Sequence, residues 1–294
     1  MRAAFLPERA VIRITGDDAT HFLQGLVTSD VETLKAGSAR FAALLTPQGK
    51  ILFDFLVVAI AADEGGGFLL DAPRALENDL LQRLGFYKLR AKVEIARRPD
   101  LAVAAVLEGA APADFGLAYS DPRHAELGTR IVLPAAGAEA AFRDAGFALG
   151  QAEEWHERRI ALGVPEGGQD FTYGDTFPHE ADMDQLGGVD FHKGCFIGQE
   201  VVSRMEHRGG ARKRVVPVRY DGPAPIAGAE VKIGDQPAGY MGSAAGGTGL
   251  AMLRLDRVAE GLAAKQPLAA GGVALSPRKS DRAKFQFPGE NATS

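Results

Sequence analysis

Residues 40–62 are almost wholly apolar, with one break at Pro47-Gln48-Gly49. Two long extended runs joined by so short a Pro/Gly segment satisfy their backbone groups best by pairing with each other, so the spacing predicts an antiparallel hairpin. The more apolar arm, 51–62, carries Asp54 and is about half as long as a membrane helix requires. It therefore predicts a buried strand. A second break, Asp63-Glu64-Gly65-Gly66-Gly67, leads into a third strand at 68–70 and makes the region an antiparallel meander.

Around this meander, strands and helices mix without regular alternation. Val11-Ile12-Arg13-Ile14 predicts a strand, Gly16-Asp17-Asp18 a turn and cap, and Ala19, Phe22, Leu23 and Leu26 a helix face. Pro73 opens a second helix with Leu76, Leu80, Leu81 and Leu84 on one face, and Gly85 is expected to end it. Further strands are expected at 89–95, 102–107, 116–119 and 129–133, and helices at 138–146 and 153–162. The pattern implies an α+β class rather than a doubly wound sheet. From Arg214 the chain breaks into short strands at 215–220, 230–233, 239–244, 249–255 and 272–275, the spacing of a small antiparallel barrel. The expected organisation is an N-terminal region over 1–211, a barrel over 212–286, and a polar, flexible tail over 287–294.

Bulk properties narrow the function. A chain of 294 residues with 46% hydrophobic and 24% charged content has room for two or three packed domains. Its 33 basic and 38 acidic residues leave a net charge of −5, which argues against coating nucleic acid or an anionic membrane, and no direct nucleic-acid binding is expected. The first residues lack the apolar run of a secretory signal, and no later run reaches membrane-spanning length, so a cytoplasmic monomer without membrane partners is expected. Cys195 is the only cysteine, so an internal disulfide and a cysteine-rich zinc site are excluded. A cluster takes about four thiolates, so one thiol cannot hold it alone.

That cysteine lies in Lys193-Gly194-Cys195-Phe196-Ile197-Gly198-Gln199-Glu200. It precedes a helix expected over 199–208 and follows Lys193 by two residues, and both neighbours lower a thiol's pKa. A small buried apolar residue is the alternative for a lone cysteine beside Phe196 and Ile197. Gly194 and Gly198 permit a tight turn or close approach to a ligand. Gln199 and Glu200 suit a first helical turn, with Glu200 four residues before Arg204, and Gly209-Gly210 stops the helix. Upstream, 166–192 is rich in Gly, Asp, Phe and Pro and shows no long element, as functional loops often do.

The eight-residue segment, continued by Val201-Val202-Ser203-Arg204, resembles the signature of the YgfZ family of folate-binding proteins, which are relatives of the glycine-cleavage T-protein. Arg159-Ile160 with Gly163-Val164-Pro165, Leu186-Gly187-Gly188-Val189 and Phe22-Leu23-Gln24-Gly25 extend the likeness over nearly the whole chain. The resemblance implies a cloverleaf of two N-terminal α+β lobes enclosing a folate pocket, plus a C-terminal antiparallel barrel. It also implies binding of tetrahydrofolate or another reduced folate, and partnership with iron–sulfur client or assembly proteins. The link extends indirectly to tRNA modification, and the cysteine motif is required.

Several residues can be set against that expectation. A pterin offers adjacent N–H donors, which a carboxylate accepts in parallel, and Asp54 and Glu180 are the candidates. Asp54 on an apolar strand face must be paired or ligand-bound, so an Arg partner is the other reading, and Glu180 could be a solvated loop acid. Trp155 corresponds to a tryptophan of the family's folate site; stacking on pterin and anchoring a core are both open to it. Phe171, Tyr173 and Phe177 could wall a ligand or pin their loop. Arg204, with His207, Arg208, Arg212, Lys213 and Arg214, forms the dense basic stretch that would hold a folate's glutamate tail. The catalytic candidates are Cys195, Lys193 and Asp54. T-proteins often carry two consecutive acids where this chain has Phe53-Asp54, a departure that bears on the rival reading, a folate-dependent aminomethyl or methyl transferase. A third reading is a cluster carrier sharing iron between two chains through paired Cys195 thiols. His21, His124, His156, His179 and His192 lack pairwise metal spacing, and none is assigned as a ligand.

Overall fold

The computed structural model describes residues 1–111, 115–207 and 211–287, and the chain divides into two compact units. The first comprises Met1–Pro47, Leu52–His156 and Gly187–Gln199; the second comprises Gln48–Ile51, Glu157–Leu186 and Glu200–Ser294. In chain order the N-terminal elements are β1 (Arg2–Phe5), β2 (Arg9–Thr15), α1 (Ala19–Gln24), β3 (Ala39–Leu45), β4 (Ile51–Ala59), β5 (Phe68–Pro73), α2 (Glu77–Lys88), β6 (Glu94–Arg97), β7 (Leu101–Glu108), β8 (Leu117–Ser120), β9 (Thr129–Pro134), α3 (Ala138–Asp144), β10 (Ala148–Gly150) and α4 (Ala152–Ala161).

The first unit is built on two five-stranded sheets. One has the order β3-β4-β5-β2-β6 and contains the hairpin expected around Pro47-Gln48-Gly49, with Gly49 at φ 80. Strand alternation sends Phe53, Phe55 and Val57 of β4 to the face that also buries Ile12, Ile14 and Leu70, where Leu23 of α1 and Leu80 and Leu84 of α2 close the core. Each such side chain stabilises the fold by about 1.5–3 kcal/mol through burial. The other sheet runs β10-β1-β7-β9-β8, with β1 parallel to β10 and antiparallel to β7. Phe142 of α3 fills its core, edge-on to Phe5 at 5.3 Å and Phe147 at 5.4 Å.

Two expectations are corrected here. Gly85 does not end α2, which runs on to Lys88; an exposed helical glycine costs only about 1 kcal/mol relative to alanine, and packing of Leu80 and Leu84 outweighs that. The strand expected at 89–95 begins five residues later and ends two residues later, as β6, because Leu89 closes the helix at φ 43.

The second unit is dominated by a barrel. Its elements are α5 (Gln199–His207, which begins at the last residue of the first unit), β11 (Lys213–Tyr220), β12 (Glu230–Ile233), β13 (Gln236–Ala245), β14 (Thr248–Arg254), α6 (Leu255–Ala263), β15 (Leu268–Ala270) and β16 (Val273–Pro277). The six strands close in the order β11-β14-β13-β12-β15-β16, and β16 returns to β11 through Val218↔Pro277 and Tyr220↔Leu275. Closure removes exposed strand edges. Phe287 is buried in the barrel core, so the tail expected from that residue does not begin there; 288–294 lie outside the described residues.

The segment before α5 has no long element, as expected, and is ordered instead by a buried ion hub. Arg159 donates to Asp170 at 2.7 Å and to Ser243 Oγ at 2.8 Å, while the Asp170 carboxylate also accepts the backbone N–H groups of Glu166 and Ser243 at 2.8 and 2.7 Å. Phe171 packs edge-on to Tyr173 at 5.5 Å, and Lys50 stands 3.6 Å over the Phe177 ring, so these aromatics pin the loop.

Candidate functional site

The cysteine motif is presented by a loop that is tied down from within the first unit. Asp190 accepts the backbone N–H of His192 at 2.8 Å and of Lys193 at 3.1 Å, a side-chain turn that reverses the chain before the motif. Asp190 N–H in turn donates to Thr28 carbonyl at 2.9 Å, and Thr28 Oγ1 donates to Gly188 carbonyl at 2.6 Å. Lys193 then reaches back to the chain after α1, where its ammonium donates to the carbonyls of Gln24, Val27 and Ser29 at 2.8, 2.7 and 2.9 Å. An ammonium has three donors, and all three are used. Burial pulls this group down to about 8, opposed by Asp30 and Asp190.

Cys195 itself is exposed. The apolar packing that the sequence offered to the cysteine is done by its neighbours: Phe196 is buried and Ile197 packs against the core of the first sheet. Gly198 at φ 80 makes the turn into α5, whereas an added Cβ at Gly194 would meet open space. Gln199 N–H donates to Phe196 carbonyl at 3.2 Å at the start of α5, and Glu200 follows it, exposed. The geometry favours Lys193 as a positioning residue that shapes the loop, with the thiol held out to solvent.

Asp54 and Trp155 belong to a different part of the same unit. Asp54 on β4 is 5% exposed. Burial opposes the charge on Arg9, but Asp71 and Asp54 outweigh it, so Asp54 has the arginine neighbour that one reading anticipated. Arg9 donates to Asp71 Oδ1 at 2.6 Å, while Asp71 Oδ2 accepts from Arg130 at 2.6 Å and from the Tyr119 hydroxyl at 2.9 Å. Arg130 also donates to Asp121 at 2.9 Å, and Asp121 is paired with Arg123 at 2.6 Å. Three guanidinium groups and three carboxylates thus come from β2, β4 and β5 of one sheet and from β9 and the loop after β8 of the other. Trp155 is 1% exposed beneath this network, with the Arg130 guanidinium carbon 4.6 Å from its ring centroid. That places the indole as a core anchor.

The remaining candidates lie in the second unit. Glu180 is 7% exposed; its Oε2 accepts Phe177 N–H at 2.8 Å and its Oε1 faces Lys213 at 3.5 Å. Arg204 is exposed and paired with Glu200 at 2.7 Å, as the four-residue spacing anticipated. The basic stretch is not one free patch. Arg214 is turned inward, donating to Asp182 at 2.9 Å and to both oxygens of Asp184 at 2.9 and 2.8 Å, and Lys213 serves Glu180. Arg208 lies outside the described residues. Burial pushes Asp182 up to about 7 despite the pull of Arg214. Sequence reasoning missed the three buried ion clusters, around Asp71, Asp170 and Arg214, because each joins residues separated in the chain.

Residues 9–101 match the family described as GCVT N-terminal domain, and residues 212–285 match the family described as CAF17, C-terminal beta-barrel domain. The crystal structure of glycine cleavage system aminomethyltransferase T from Bartonella henselae superposes with a TM-score of 0.76 over 97% of this chain and 87% of that one, at 18% identity. The chain therefore has the aminomethyltransferase fold: α+β lobes followed by a closed six-stranded barrel. Within that class, the human protein named iron-sulfur cluster assembly factor IBA57, mitochondrial, is 32% identical over 279 residues, covering 86% of this chain and 77% of the relative. The mouse protein of the same name is 32% identical over 280 residues with the same coverage. The chain belongs to the IBA57 family of iron–sulfur cluster assembly factors, so the likeness to YgfZ stands as membership of the wider kinship. The cytoplasmic expectation is overturned. Both mammalian relatives carry mitochondrial names, as does one from Pyricularia oryzae that is 35% identical over 228 residues, 74% of this chain and 57% of the relative. The expectation rested on the pattern of a secretory signal, which bears on secretion and not on import into an organelle.

Proposed function

We propose that this chain binds a reduced folate and serves the assembly or repair of iron–sulfur enzymes, with Cys195 as the thiol through which it acts. The observation that carries this reading is an exposed thiol on a loop fixed by the Lys193 clamp, in a chain whose mammalian relatives are named for iron–sulfur cluster assembly. One thiolate supplies one ligand, so any cluster handled here draws its other ligands from an assembly or client protein.

The residues fit a folate in part. The donor edge of a pterin calls for a carboxylate in a dry setting, and Asp54 of the first unit or Glu180 of the second, 5% and 7% exposed, each by itself has that chemistry. Glu180 would exchange its bond from Phe177 N–H for one from the ligand. Arg204 stands in an exposed ion pair of the kind worth about 0–1 kcal/mol, which a glutamate tail can displace. Trp155 fits the ligand least, being enclosed under Arg130.

The test pairs equilibrium titration of tetrahydrofolate with the cellular activity of an iron–sulfur enzyme. Cys195→Ala is expected to keep folate affinity and lose the cellular role. Full cellular activity of the variant would remove the thiol from the proposal, and no saturable folate binding would remove the ligand. The likeness to an aminomethyltransferase keeps the transferase reading testable: release of methylene-folate is compared with and without a lipoyl carrier protein, and absence of turnover rejects it.

A further inference from the structure

We infer that the second unit contains a site for a divalent transition-metal cation, built by His179, Asp184 and Glu206. These residues are 5 and 22 positions apart in the chain, and the fold gathers one ligand atom from each so that all lie within 4.8 Å of one another. His179 and Asp184 come from the loop before α5, and Glu206 comes from the last turn of α5.

The distances suit a metal. His179 Nε2 and Glu206 Oε2 are 3.0 Å apart, the separation of two adjacent ligands at about 2.1 Å from a common ion. With the third ligand atom no more than 4.8 Å from the other two, an ion bound at those lengths to His179 and Glu206 is reached by Asp184 with a movement of about 1 Å or less.

A positioning residue is also in place. Arg214 donates to both oxygens of Asp184 and, at 2.7 Å, to the carbonyl of His179, so one buried guanidinium orients two of the three ligands. Outer-shell bonds of this kind fix ligand direction in metal sites. The imidazole is fully buried and the Asp184 side chain is 5% exposed, while Glu206 is 41% exposed, so the site is walled on one side and open on the other for entry. One imidazole and two carboxylates select zinc, manganese or iron(II) over calcium or magnesium, and three protein ligands leave positions for water.

The experiment is calorimetric titration of the metal-free full-length chain with Zn2+, with Co2+ absorption as a spectroscopic check. Saturable binding of one Zn2+ per chain is expected, weakened roughly tenfold or more by Glu206→Gln and left unchanged by Cys195→Ala. Because Glu206 is partly exposed at a helix end, that variant keeps the fold, and a thermal midpoint matching the parent confirms it. Binding that Glu206→Gln leaves within about twofold, loss of binding in Cys195→Ala, or no saturable binding at all would each overturn the site.

Discussion

Lys193 shows how a side chain two residues from a thiol acquires a role that its spacing does not announce. From sequence it reads as a cation lowering the pKa of Cys195, because only the local spacing is visible. Its aliphatic stem instead carries the ammonium to carbonyls 164, 166 and 169 positions away. Lys193→Met leaves those carbonyls without their donor at an expected cost of about 1–3 kcal/mol, and it loosens the loop. Urea unfolding and the rate of Cys195 alkylation by iodoacetamide read the two effects, and a rate equal to the parent's would refute the clamp. Cys195→Ala is expected to change stability by no more than about 0.5 kcal/mol, since the side chain is exposed. The same distance effect hid the partners of Asp54 and Glu180, whereas the i,i+4 pair of Glu200 and Arg204 is local and was legible.

Among the elements, legibility followed the strength of the periodic signal and the chemistry of the breaks. The β3–β4 hairpin, α1 and five barrel strands stand out because apolar runs end at Gly or Pro. By contrast β1, β10 and β15, at four, three and three residues, are too short to show a period, and their strand character comes from neighbours supplied by the fold. Two glycines that look alike in sequence separate on this scale. Gly85 sits in α2 with nothing within 4 Å of an added Cβ, so Gly85→Ala is expected to stabilise by about 0.5–1 kcal/mol. Gly239 in β13 would place a Cβ 1.8 Å from the Met252 carbonyl oxygen, so Gly239→Ala is expected to destabilise by about 1–3 kcal/mol or more. Thermal or denaturant unfolding of the pair distinguishes them, and a shift of the same sign in both would contradict the account.

At the scale of the whole chain, the buried charges of the first unit set its response to acid and to truncation. Burial pushes the Asp71 and Asp121 carboxyls up, but Arg9, Arg123 and Arg130 outweigh it and hold both below the usual aspartate range. A carboxyl depressed in the folded state stabilises fully above its unfolded value of about 3.9 and loses that contribution as pH falls through the folded value. Stability is therefore expected to drop below about pH 4, and Asp71→Ala, which takes the carboxylate from Arg9 and leaves Arg130 with Asp121 alone, is expected to cost about 3–5 kcal/mol at neutral pH. A chemical denaturation series from pH 7 to pH 3 checks both, and a variant unfolding like its parent at pH 7 would sink the second. The same cluster ties together parts of the unit that look separable. Asp71 comes from one sheet and Arg130 from the other, and a guanidinium cannot shed its charge. Neither sheet can open without stranding an ion in the half that stays closed, so amide hydrogen exchange in β5 and β9 should report one common opening free energy, although the two sheets have separate cores.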